Sequence, residues 1–383
     1  MVVNGKYNMY GWIETTLGKL CHQITTGKLD ANAMIADGIY PFFTCAKESY
    51  RINTYAFDCE ALLVSGNGAN VGYVHHYIGK FNAYQRTYVI SGFDANPTFL
   101  NYYLTKNIQD RIRIEVNSGN TPYITMGTLT EMPISLPNSQ TEQQAIAAAL
   151  SDVDQLIASL DQLIEKRRAL KIAAMQQLLT GKTRLKGFSG EWEPKRLGNL
   201  ATIQRGASPR PIDNPIWFDD KSPIGWVRIS DVTKSGAELT KTEQKLSTLG
   251  IQNSRLVSSQ NLIMSICATV GRPIVTKIDV CIHDGFVVFG NLHADMKFIY
   301  HFLKWIEPKW SKYGQTGSQM NLNTELINRV ELLLPSINEQ KAIAEVLSDM
   351  DAEITELEQR REKTQAIKQG MMQELLTGRT RLI

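Results

Sequence analysis

Residues 142–185 read EQQAIAAALSDVDQLIASLDQLIEKRRALKIAAMQQLLTGKTRL, and residues 339–382 read EQKAIAEVLSDMDAEITELEQRREKTQAIKQGMMQELLTGRTRL. Aligned without a gap at an offset of 197, the two agree at 25 of 44 positions, so the chain carries an internal duplication. Each copy follows a Leu-Pro step, Leu136-Pro137 and Leu334-Pro335. Proline blocks helix before the start, and Thr141 or Asn338 followed by Glu and Gln supplies a cap. In the first copy Leu150, Val153, Ile157, Leu160 and Ile164 alternate three and four apart, the seam of a coiled coil. Leu347, Met350, Ile354 and Leu357 do the same in the second, until Arg361 interrupts the pattern. Each copy is therefore predicted to be one long helix, a rod of roughly 60 Å. Gly181 and Gly378 suit the left-handed position that ends it. Two such stripes in one chain are expected to bury each other.

The segments before each helix correspond more faintly. WIETTLGKL at 12–20 matches WEPKRLGNL at 192–200, and Thr26-Gly27 matches Arg205-Gly206. ALLVS at 61–65 with Val71-Gly72 matches NLIMS at 261–265 with Val270-Gly271. Both segments close with a glycine-bearing loop, at 118–122 and 316–319, and a strand-like run into Leu-Pro. Short apolar runs at 84–90, 261–266 and 285–289 read as strands, and 98–105 and 296–305 read as helices. The order is domain, helix, domain, helix, with each domain mixed α and β.

Composition bounds the function classes. At 383 residues the chain is long enough for two or three domains. With 43% hydrophobic and 21% charged residues it can bury real cores. A net charge of +3 does not by itself announce nucleic-acid binding. No apolar run is long enough to cross a bilayer and the start is unlike a signal peptide, so an intracellular, cytoplasmic protein is expected. Cys21, Cys45, Cys59, Cys267 and Cys281 are isolated and odd in number, which fits reduced thiols packed as small hydrophobes.

Signatures of an enzyme are missing or incomplete. NPTF at 96–99 resembles the Asn-Pro-Pro-Phe element of adenine methyltransferases, but Thr98 replaces a proline and no glycine-rich cofactor loop accompanies it. It reads better as a helix start. GNGANVG at 66–72 is one residue longer than the dinucleotide fingerprint and reads as a tight loop. Gly-Lys-Thr at 181–183 ends a helix instead of beginning one, so it is not a phosphate-binding loop. His75-His76 lacks a third ligand at helical or hairpin spacing, so no metal site is expected.

The paired Leu-Pro…Glu-Gln-x-Ala-Ile-Ala…Leu-Ser-Asp…Leu-Leu-Thr-Gly-[Lys/Arg]-Thr-Arg-Leu units at 136–185 and 334–382, with the openings at 12–27 and 192–206, resemble the specificity (S) subunit of type I restriction–modification systems. The resemblance covers essentially the whole chain. It implies an α+β protein with internal pseudo-two-fold symmetry. Target-recognition domains at 1–135 and 187–333 would be joined and spaced by conserved helical regions at 136–186 and 334–383, paired as an antiparallel coiled coil. Each domain would read one half of a split, asymmetric double-stranded DNA target, and the helices would set the gap. On that view, four residues inserted after Leu179 lengthen the gap. The helices would dock modification subunits, two of them, with restriction subunits joining through the complex; the charged faces at 165–168 and 353–361 are candidate contacts. Catalysis, S-adenosylmethionine, ATP and Mg would belong to the partners, leaving this chain without cofactor or catalytic residue. The alternative is a stand-alone methyltransferase or nuclease with a divergent site.

Polar loop residues discriminate bases best, because Arg, Asn and Gln make paired contacts to base edges. In the first domain they are Thr25, Thr26, Lys28, Lys47, Tyr50, Arg51, Asn67, Asn70, Gln85 and Arg86. In the second they are Arg205, Ser208, Arg210, Arg228, Ser230, Lys234, Arg272, Ser318 and Gln319. Arg86, Arg205 and Arg210, each beside Gln, Gly or Pro, lead. The domains carry net charges of zero (1–135) and +3 (189–333), so phosphate attraction by this chain alone should be modest. Trp217, Phe218, Trp226, Trp305, Trp310 and Tyr313 read as core aromatics, not as a platform for bases.

Overall fold

The computed structural model describes residues 6–7, 11–114, 122–312 and 322–382. They form two compact units: Met1–Asp161 with Gln359–Ile383, and Gln162–Glu358. These divisions run across the two long helices, so each unit holds the first half of one helix and the second half of the other. Among the described residues no helix is long and apolar enough to cross a membrane.

The first unit is built on a six-stranded sheet in the order Cys21–Thr26, Thr87–Phe93, Phe57–Ser65, Val74–Ala83, Tyr40–Phe43 and Tyr50–Ile52. Neighbours are antiparallel except Tyr40–Phe43 beside Val74–Ala83. Val74–Ala83 carries Gly79 at φ +124°, a backbone setting that side chains resist. Residues 84–86 are not strand: Thr87 N donates to the Tyr84 carbonyl at 2.8 Å and closes a turn, so the strand begins three residues later than the apolar run predicts. Helix α1 (Pro97–Ile114) starts at Asn96, whose side chain accepts from Phe99 N at 2.9 Å, so the NPTF element is a helix cap.

Helix α2 (Gln140–Leu178) follows a short strand, Pro133–Leu136. In the second unit, a five-stranded sheet runs Thr202–Arg205, Phe286–Gly290, Leu262–Ser265, Pro273–Thr276, Glu238–Leu239. A four-stranded sheet there contains Gly225–Val227 and Val280–Ile282. Helix α3 (Met296–Ile306) occupies the place of α1, with Asp295 as its cap, and helix α4 (Ile337–Leu375) follows Glu331–Leu334. Trp226 and Trp310 are fully buried and Trp217, Phe218 and Trp305 half-buried, as core aromatics should be; Tyr313 lies outside the described residues.

The caps of the long helices differ from expectation. Ser139 and Ser336, not Thr141 and Asn338, accept from Glu142 N and Glu339 N, each at 3.4 Å. A cap must sit outside the first turn, and Thr141 and Asn338 already lie within it. The Gln that follows each Glu does double duty. Gln143 donates to the Pro137 carbonyl (2.8 Å) and accepts from Asn96 N (2.8 Å); Gln340 does the same with Pro335 (2.7 Å) and Asp295 (2.8 Å). Glu142 and Glu339 are buried, and each receives an Arg from the closing Thr-Arg-Leu of the other copy. Arg381 holds Glu142, and Arg184 holds Glu339 at 2.5 and 2.6 Å. Gly181 (φ +69°) and Gly378 (φ +77°) take the left-handed conformation read for them.

Within each unit the helix halves pair antiparallel. In the first, Asp154 meets Lys368 (2.6 Å) and Asp161 meets Arg361 (2.7 Å), seven residues up one helix and seven down the other. In the second, Arg167 meets Glu353 (2.9 Å), Arg168 meets Glu358 (2.5 Å) and Lys171 meets Asp351. Leu150, Leu160, Ile164, Leu347 and Ile354 are buried, and Val153, Ile157, Met350 and Leu357 half-buried. Arg361 does not end the seam: Arg361, Thr364 and Lys368 continue it, as Ile164, Arg167 and Lys171 do in α2. Charged residues at seam positions fix register and direction, because a slipped pairing strands them without partners.

A polar cluster ties each half-pair to its domain. In the first unit Tyr102 donates to Asp154 (2.7 Å), with Ser151 at 3.4 Å and Lys368 on the same carboxylate. In the second the equivalent positions are His301, Ser348, Asp351 and Lys171, with His301 Nε2 3.1 Å from Ser348 Oγ.

Candidate nucleic-acid interface

In the first unit, three segments meet because two glycines let them. A Cβ on Gly27 would lie 1.9 Å from the Ala83 carbonyl oxygen, and one on Gly66 2.3 Å from that of Arg86. This brings the end of Cys21–Thr26, the 66–72 loop and the 84–86 turn together. The loop is tight, with Gly68 and Gly72 both at φ +80°. Cys45 Sγ donates to Asn67 Oδ1 at 3.1 Å, and Asn70 Nδ2 donates to the Cys45 carbonyl at 3.0 Å. Gln85 N donates to the Leu29 carbonyl at 2.9 Å. Lys28, Lys47, Gln85 and Arg86 are exposed around this meeting point, and Thr25 and Thr26 stand half-buried on the strand. A cavity of about 290 Å³ opens among Gly66, Gln85, Arg86, Tyr88 and Ile124. Tyr50 and Arg51 lie apart on the edge strand. His75 and His76 bond separately, to the Ala46 carbonyl (3.0 Å) and Glu60 (2.8 Å).

The second unit repeats the plan with different side chains. Gly206 stands where Gly27 does, its would-be Cβ 2.1 Å from the His283 carbonyl oxygen. Phe286 N closes the 283–286 turn on the His283 carbonyl (3.0 Å), as Thr87 N does on Tyr84. Ile266 N donates to Gly285 O (2.8 Å) as Gly66 N does to Arg86 O (2.8 Å), so Asp284 occupies the position of Gln85.

Arg205, Ser208 and Arg210 all converge on Asp284. Arg205 Nε donates to its carbonyl (2.6 Å), Ser208 Oγ to Oδ1 (2.7 Å) and Arg210 Nη2 to Oδ2 (3.2 Å). The Ser208 hydrogen bond, with the Arg210 and His283 charges behind it, holds the Asp284 carboxyl below its usual range. Burial pushes the neighbouring His283 imidazole down. Its Nδ1 accepts from Gly285 N at 2.9 Å. Arg255 Nη1 donates to Gln204 (3.0 Å), stapling the same loop from below.

Of the other residues predicted here, Arg228 borders this turn, following the Val227–Ile282 pairing with its charge acting on His283, while Lys234 and Arg272 have partners of their own. Arg228 Nε donates to Gln244 (2.9 Å), Lys234 pairs with Glu243, and Arg272 donates to the Ser235 carbonyl (3.3 Å). Ser230 sits in the short helix Ile229–Lys234. Ser318 and Gln319 lie outside the described residues. Asp284 is not among the base-contact candidates named from the sequence, which are cationic or neutral polar side chains and include no carboxylate. The signal was there: His283-Asp284-Gly285 is a tight-turn sequence directly before a strand.

Known proteins agree with this architecture. The profile of the family "Type I restriction modification DNA specificity domain" matches twice, at residues 9–166 and 189–369. The chain is 29% identical over 358 residues to the EcoDI specificity subunit of Escherichia coli, covering 87% of this chain and 79% of that one. It is 25% identical over 307 residues to the putative MjaX specificity subunit of Methanocaldococcus jannaschii, covering 75% and 68%. A crystal structure of a type I restriction–modification S subunit from M. genitalium superposes with a TM-score of 0.65 at 16% identity, covering 98% of both chains, and shows the shared fold. Two family domains, two glycine-built polar turns and a duplicated helix carry the conclusion together: the chain belongs to the type I restriction–modification DNA specificity family, a non-catalytic subunit that recognises a DNA target.

Proposed function

We propose that each domain reads one half of a split, asymmetric target in double-stranded DNA, the first with the 27–28, 66–70 and 84–86 segments and the second with 205–210 and 283–285. The observation that carries this reading is that one scaffold turn presents Gln85-Arg86 in one domain and Asp284-Gly285 in the other. The same frame with different side chains is what two unlike half-sites demand. Arg86→Ala and Arg205→Ala, each in complex with modification subunits, are expected to cost about 1–3 kcal/mol against the cognate base. Sequencing of methylated DNA should show each variant relaxing a different half. Uniform weakening on every sequence would mark the residue as a phosphate contact instead.

The helix pair is proposed to set the gap and to dock two modification subunits, with restriction subunits joining through them. S-adenosylmethionine, ATP and Mg would then serve the partners in the cytoplasm, and this chain would need none. The insertion point for testing the gap moves from Leu179, which lies past the end of α2 and is buried in the second unit's core. Seven residues added after Asp161 and seven after Glu358 keep the seam and lengthen both helices by about 10 Å. The expected result is a methylated motif whose gap is about three base pairs longer. A complex that methylates with the parental gap would refute the spacing role. The same insertion in α2 alone should disrupt the pairing, since the ion pairs of the two units then demand registers seven residues apart.

A further inference from the structure

Asp284 is out of place by composition. It puts a carboxylate, 44% exposed, among Arg205, Arg210 and Arg255 on a surface meant for a polyanion. The scaffold does not require it: Gln85, neutral, holds the same turn position in the first unit. What the acid does locally is specific. Its carboxylate accepts from Ser208 and Arg210 on separate oxygens, while the main-chain carbonyl of the same residue, independent of the side chain, takes the Nε of Arg205. Arg205 is thus held by one edge, while its terminal nitrogens have no partner among the described residues. Those two nitrogens are the pair that reads guanine O6 and N7. Arg210, tied to a carboxylate, is kept from roaming to the nearest phosphate.

We propose that Asp284 is the positioning and specificity-determining residue of the second recognition domain: its carboxylate holds Ser208 and Arg210 in one arrangement for base contact beside Arg205, and its charge weakens binding to DNA of the wrong sequence. The inference rests on the reading of 205–210 and 283–285 as a DNA surface. A repulsive element beside the attractive ones is how discrimination is gained when backbone attraction is sequence-blind.

The test uses the full chain assembled with its modification subunits. Asp284→Asn keeps shape and a hydrogen-bond acceptor but frees Arg210. It is expected to spread methylation to targets altered in one half only. Affinity for a duplex lacking the target should rise about threefold near physiological salt, and the salt slope should steepen by about one, the effect of one more phosphate contact. Asp284→Glu, which keeps the charge, is expected to retain the parental slope. A parental motif and slope in Asp284→Asn overturn the proposal, and so does a lowered melting temperature with the motif unchanged, which marks a structural acid. Arg205→Ala separates the two levels. If it relaxes that half while Asp284→Asn does not, the positioning role alone fails. If neither variant touches either half, the surface itself is wrongly placed and both readings fall.

Discussion

Lys171→Met is expected to destabilise the second unit by about 3 kcal/mol at pH 8, the lower end of the range for breaking a buried ion pair. Lys171 is 9% exposed and its ammonium is the counter-charge of Asp351. Methionine fills the same volume and cannot pair. Asp351 is left with its Oδ2 buried and unbonded, and with His301 Nδ1 3.9 Å away as the nearest alternative. The lower end applies because Asp351 itself is 32% exposed and recovers some solvation. Lys171→Met with Asp351→Leu should restore most of the loss, since replacing both partners leaves no stranded charge. Urea unfolding of the three variants decides it. A loss under about 1 kcal/mol in the single variant would show the pair to be a solvated contact.

The second large effect is a pH dependence that comes from His301 in the second unit and has no equivalent at Tyr102, its counterpart in the first. His301 is 1% exposed, and burial, reinforced by the Lys171 charge, lowers its pKa to about 3. Asp351 cannot rescue an imidazolium there because Lys171 already claims it. An imidazole in the unfolded chain titrates near 6.5. The folded value is depressed, so this group contributes full stability above about pH 6.5. Between there and about pH 3 the unfolded chain takes up a proton that the folded chain refuses. Stability should therefore fall by about 1.4 kcal/mol per pH unit below 6.5 from this residue alone. Tyr102, its counterpart in the first unit, is pushed up to about 12 by burial and stays neutral throughout. His301→Tyr copies that arrangement and is expected to flatten the profile between pH 7.5 and 5.5. Parallel profiles for the parent and His301→Tyr would remove His301 as the source. The two effects are linked: in Lys171→Met the freed Asp351 can hold a protonated His301, so acid should partly relieve that variant.

Much of this was legible in the chain. The duplicated Glu-Gln and Thr-Arg-Leu signatures announced two long helices, and their spacing marked the buried seam at Leu150, Leu160, Leu347 and Ile354. The polar continuation of that seam was not legible. Arg361 looked like an interruption because periodicity counts apolar residues, and its partner Asp161 lies 200 positions away. The candidate DNA surface was half legible for a related reason. Arg86, Arg205 and Arg210 could be named from local turn sequence, whereas the meeting of Arg205 and Arg210 at Asp284, and the pairing of Lys234 with Glu243 and of Arg272 with the Ser235 carbonyl, could not.

Local order in the residues was enough to establish the repeat, the element types and the places where the backbone must turn, because helix periodicity, proline and glycine act over a few residues. Which charges meet was decided only when distant segments packed. That step joined Glu142 to Arg381, Glu339 to Arg184, and Asp284 to the three side chains it holds. An ion pair or a hydrogen bond depends on distance in space, and no pattern along the chain encodes it.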